Sequence, residues 1–109
     1  MEIELRHAPE GLSDYSSRRL AFALGRYNGV VSRVRVRFGD VNGPRGGLDK
    51  CCRMSAELTG GQRVMVEAVG ADFQGVVDHA ANRLARAVAR ERKKGQTFGS
   101  TTAPNSLGV

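Results

Sequence analysis

Four cations in the last third of this 109-residue chain recur at a spacing that suits a polyanion. Arg83, Arg86, Arg90 and Lys93 follow one another at intervals of three, four and three residues. On a helix turning about 100° per residue they share one arc of about 80°, with His79 inside it. Residues 83–94 carry six basic side chains, Lys94 among them, against one acid, Glu91. A solvated helix face usually mixes signs to limit self-repulsion; this one does not. Arginine offers a planar fork of donors that matches phosphate, and each phosphate neutralised on a duplex adds roughly −0.9 to the salt slope of binding. The pattern points to RNA or DNA. The plain alternative is a solvated face whose charge only keeps the protein in solution.

Three weaker groups accompany it. Arg19 and Arg26 share a flank of the first helix with Tyr15 and Phe22. Aromatic rings beside arginines can stack on unpaired bases, although covering the edge of a small core is the simpler account of either ring. Arg33, Arg35 and Arg37 alternate along one strand, with Arg53, Arg63, Glu57 and Glu67 on its neighbours, so cross-strand Arg–Glu pairing accounts for them simply. The glycine-rich segment 39–50 carries Arg45 and Lys50, and such loops can bring backbone N–H groups to phosphate. It lacks the Lys-Ser/Thr ending of a nucleotide-binding P-loop and opens no helix; a plain connection explains it equally well. Arg45 and Lys50 complete the expected RNA-binding set of Arg19, Arg26, Arg83, Arg86, Arg90, Lys93 and Lys94.

Catalysis finds little support. His7 and His79 are isolated, Cys51 has no evident base, and a Cys51–Cys52–His7 metal site would lack a ligand. With no nucleophile–base constellation, the expectation is a non-enzyme with no metal, cofactor or small-molecule substrate.

The elements that position these residues follow from periodicity. Residues 1–7 alternate as a half-buried strand. A helix is expected from an N-cap at Ser13 to Tyr27, burying Ser16, Leu20, Ala23, Leu24 and Tyr27. Strands follow at 30–38, 51–58 and 63–69, the last two joined in a hairpin at Gly60-Gly61. Asp72 caps a second helix running to about Lys94, with Phe73, Val76, Val77, Ala80, Leu84, Ala87 and Val88 as its apolar stripe. Residues 95–109 lack periodicity and read as a disordered tail after a 1–94 domain. The result is an α+β fold of order β-α-β-β-β-α, with two helices on one face of a four-stranded sheet.

Bulk properties agree. The net charge is +6, and fourteen of the seventeen basic residues are arginine, a balance that favours polyanionic partners. No apolar run approaches the ~18 residues of a membrane helix, and Met-Glu-Ile-Glu-Leu does not resemble a signal peptide. Adjacent cysteines on opposite faces of a strand suit a reducing compartment. The expectation is a cytoplasmic protein with no membrane partner.

Three stretches resemble the ribosome hibernation promoting factor family, also called ribosome-associated inhibitor or ribosomal subunit interface proteins. Arg26-Tyr27 through Ser32-Arg33-Val34-Arg35-Val36 resembles its helix-end-to-second-strand segment. Glu57-Leu-Thr-Gly-Gly61 resembles its hairpin, and Asp72 through Arg86 its second helix. Asp40–Gly47 with Asp49-Lys50 resembles a short proteobacterial-type branch. Ser16 and Ser17 stand where the family usually carries larger apolar residues. The resemblance covers residues 1–94 and implies a short form with a double-stranded-RNA-binding-domain-like fold. It implies docking in the small ribosomal subunit, on its rRNA, so that idle ribosomes are silenced and protected under stress. Arg83, Arg86 and Arg90, with Arg19, match the family's basic positions. Two other readings remain open: a protein-interaction module with solvated basic faces, and a small anion-binding enzyme using loop 40–47.

Overall fold

The computed structural model describes the backbone of residues 1–40 and 50–101 and the side chains of 1–40 and 50–93. The elements are β1 (Glu2–Arg6), α1 (Leu12–Ala23), a 3-10 turn (Gly25–Tyr27), β2 (Val31–Asp40), β3 (Lys50–Leu58), β4 (Arg63–Gly70) and α2 (Phe73–Thr101). The strands form one sheet in the order β1-β2-β3-β4. β1 pairs parallel to β2, and the other two pairings are antiparallel. A parallel pair needs a crossover, which α1 supplies.

Alternation decides which side of the sheet is covered. Val34, Val36, Phe38, Cys52, Met54, Ala56 and Leu58 point to one face and are buried with Leu20 and Leu24 of α1 and Val76, Val77, Ala80, Ala81, Leu84 and Val88 of α2. Removing each Val or Leu from water stabilises the fold by about 1.5–3 kcal/mol. The opposite face carries the arginines and stays open. This is the expected α+β arrangement, helices on one side and polar strand positions on the other.

Asp72 caps α2 as expected, its Oδ1 accepting the Gly75 N–H at 2.7 Å. Gly70 matters for space: a Cβ there would lie 2.8 Å from Val76 Cγ2, so the glycine lets the first turn of α2 approach the sheet.

Several boundaries differ from the expectation. Gly11, not Ser13, precedes the first helix, in the left-handed conformation at φ 83° and without a side-chain cap bond; Leu12 N–H bonds back to Pro9 O at 3.0 Å. The α-helix stops at Ala23, and the chain tightens into the 3-10 turn through Tyr27. Gly25 supplies a reason, since glycine costs about 1 kcal/mol in a helix interior. Asp40 and Lys50 pair in the β2–β3 ladder, so strand runs further into the segment read as a 39–50 loop. Residues 41–49, Arg45 included, lie outside the described residues. α2 continues to Thr101 rather than ending near Lys94; of the segment expected as a tail, 102–109 lie outside the described residues.

Candidate nucleic-acid interface

The outer crest of α2 carries Arg83, Arg86, Arg90 and Lys93, all exposed, with His79 among them. The helix can hold them there because Val76, Val77, Ala80, Leu84 and Val88 anchor its opposite face. Arg86 and Arg90 have no hydrogen-bond or ion-pair partner among the described residues. Arg83 differs. Its Nη1 donates to the backbone carbonyl of Glu67 at 2.6 Å, on the open edge of the sheet, leaving its remaining donors for other partners. The Lys94 side chain lies outside the described residues.

The flank between the helices is tied together by Asp78. Its Oδ1 accepts the Tyr15 hydroxyl at 2.6 Å and Arg19 Nε at 3.0 Å. Arg19 Nη2 also donates to Asn82 Oδ1 at 3.0 Å. The Tyr15 hydroxyl is pushed above its ordinary pKa of 10.0, first by this hydrogen bond, which favours the protonated phenol, and then by burial. Arg19 therefore sits at the interface with its charge largely matched by Asp78. Arg26 is exposed in the 3-10 turn and has no partner among the described residues. Of the two aromatics considered for base stacking, Tyr15 packs against the core. Phe22 is 83% exposed, with the Arg19 guanidinium 5.8 Å from its ring centroid.

Lys50 is placed away from the crest, at the start of β3, 3.9 Å from Asp40 and 5.6 Å from the Phe73 ring centroid. On the open sheet face the simple account of cross-strand pairing applies. Arg33 pairs with Glu2, Arg35 with Glu4, Arg53 with Glu67 and Arg63 with Glu57, at 3.2–3.4 Å. Arg37 lies between Arg6 and Arg53 in register. Cys52 is fully buried and its thiol is pushed up to about 12 by that burial, with the neighbouring Cys51 adding to it. Cys51 faces the other way and is half-buried.

The profile of the family described as Sigma 54 modulation protein / S30EA ribosomal protein matches residues 2–96. The chain belongs to this family. No curated protein sequence matches it. Among solved structures, the Thermus thermophilus Protein Y N-terminal domain is 25% identical and superposes with a TM-score of 0.63, over 84% of this chain and 96% of that one. A ribosomal subunit interface protein from Coxiella burnetii is 14% identical with a TM-score of 0.69, over 85% of this chain and 99% of that one, and shows the shared fold. Within this S30EA-family fold, sequence reasoning singled out the crest but missed Asp78 and Asn82. Their partners lie 59–63 residues away, and an acid on a helix flank carries no local signal of such a contact.

Proposed function

We propose that this chain binds the small ribosomal subunit by gripping rRNA phosphates with the crest of α2, and so silences and protects idle ribosomes in the cytoplasm under stress. The observation that carries the reading is the one-signed crest, in which Arg86 and Arg90 are exposed and have no partner among the described residues. The planar guanidinium fork is pre-organised for phosphate, so less side-chain freedom is lost per hydrogen bond formed than with lysine. Arg19 ties the two helices together and Arg83 ties α2 to the sheet edge, so in this reading they border the site and also act through their remaining donors. Arg26, Lys93 and Lys94 belong to the proposed set, and Arg45 and Lys50 are secondary to it. The family description, which names a ribosomal protein, and the likeness to a ribosomal subunit interface protein support the ribosome as partner.

Co-sedimentation with purified small subunits at rising KCl tests the reading. The protein is expected to pellet with subunits at low salt and dissociate as salt rises, and the R86E/R90E variant to stay in the supernatant throughout. Absence of co-sedimentation at low salt would overturn it.

A further inference from the structure

Resting on the RNA-binding reading, we infer that Phe22 is a stacking platform for one unpaired nucleobase beside the phosphate-binding crest. The two helices run side by side in the same direction. Tyr15 reaches Asp78 and Arg19 reaches Asn82, both at a separation of 63 residues. Only parallel helices keep a constant offset. Carried less than one turn further, to the last turn of α1, that offset sets Phe22 level with Ala85, beside Arg86. Packed helix axes lie about 8–10 Å apart, so Phe22 stands on one rim of a shallow furrow with Arg86 on the other.

The chemistry of that rim is specific. Phe22 is 83% exposed, so the ring contributes little to the core. Arg19 sits over it at 5.8 Å, within cation–π range, and is itself fixed by Asp78 and Asn82. Exposed Arg18 lies one helical turn before the ring, and exposed Arg26 follows in the 3-10 turn after the helix ends. Single exposed apolar residues are common, but this one is surrounded by phosphate-binding groups on both rims. A duplex presents no free base face to such a ring; a bulged or looped nucleotide does. Phe22 therefore adds a preference for an unpaired base next to a helix whose backbone the crest holds.

The chain contains no tryptophan, so F22W creates a unique fluorescent reporter at the site. Two RNA hairpins serve as probes, identical except that one carries a single unpaired adenine in its stem. F22A is expected to weaken binding of the bulged hairpin ~5- to 150-fold, the range of one base–aromatic stack, and to leave the paired hairpin within about twofold. F22W should keep the bulge preference, its emission quenched by the bulged hairpin and not by the paired one. If F22A binds both hairpins like the parent, or F22W emission ignores the bulge, the platform is wrong while the crest reading stands. If the parent protein binds neither hairpin, the RNA reading fails and takes the platform with it.

Discussion

Replacing Arg86 and Arg90 together with glutamine should halve the electrostatic part of RNA binding without disturbing the fold. Four crest cations each meeting one duplex phosphate give a salt slope of roughly −3.6, and two give roughly −1.8. Between 50 and 200 mM KCl the parent should therefore lose about 150-fold in affinity, and R86Q/R90Q only about 12-fold. Both side chains are exposed and have no partner among the described residues, so stability should move by no more than about 0.5 kcal/mol. Fluorescence anisotropy of a labelled rRNA hairpin across a KCl series measures the slope, and urea unfolding checks the fold. A slope unchanged by the double substitution would refute the assignment of these two arginines to phosphate, whatever the absolute affinity.

Three further outcomes test the packing that presents the crest. Y15F should cost about 1 kcal/mol at pH 7, less than the ~1.5–3 kcal/mol of a buried bond to a charged group, because Asp78 is part-exposed. Since the folded pKa of Tyr15 is raised, its contribution is complete below pH 10.0 and lost as pH climbs through the folded value, so urea midpoints of parent and Y15F should converge in alkali. S16A should raise the melting temperature, because Ser16 Oγ is buried with no hydrogen-bond partner among the described residues and removing it relieves about 1 kcal/mol or more of desolvation; a lower melting temperature would contradict this. Under native conditions a thiol reagent should titrate Cys51 alone, with Cys52 reacting only in denaturant, since Cys52 is buried and pushed up to about 12.

The strands and the crest were legible because both are local periodicities. Arg33, Arg35 and Arg37 alternate with Val34, Val36 and Phe38, and burial follows that alternation residue by residue. Asp72 caps α2 through a bond three residues away, a distance a sequence window spans. What escaped were contacts set by tertiary packing. Asp78 joins Tyr15 and Arg19 across the helix pair, and Arg83 turns back to a strand carbonyl at the sheet edge. That bond covers one of the acceptors an open edge strand exposes, so a residue chosen for its charge also protects the sheet. The early end of α1 was missed because Leu24 and Tyr27 keep the apolar spacing of a helix while Gly25 loosens the backbone between them. Phe22 fits either a core edge or an exposed site by sequence alone, and only its 83% exposure separates the two.

The orientation of the protein on its partner tests the role of the α2 crest most directly, and a cryo-electron microscopy reconstruction of the chain bound to the small ribosomal subunit measures it. With the crest as the phosphate-binding surface, the helix layer should lie against rRNA, with Arg86 and Arg90 guanidinium groups about 3 Å from phosphate oxygens and the Arg–Glu-paired sheet face turned away. A complex in which the sheet face meets the rRNA and the crest of α2 faces solvent would contradict it.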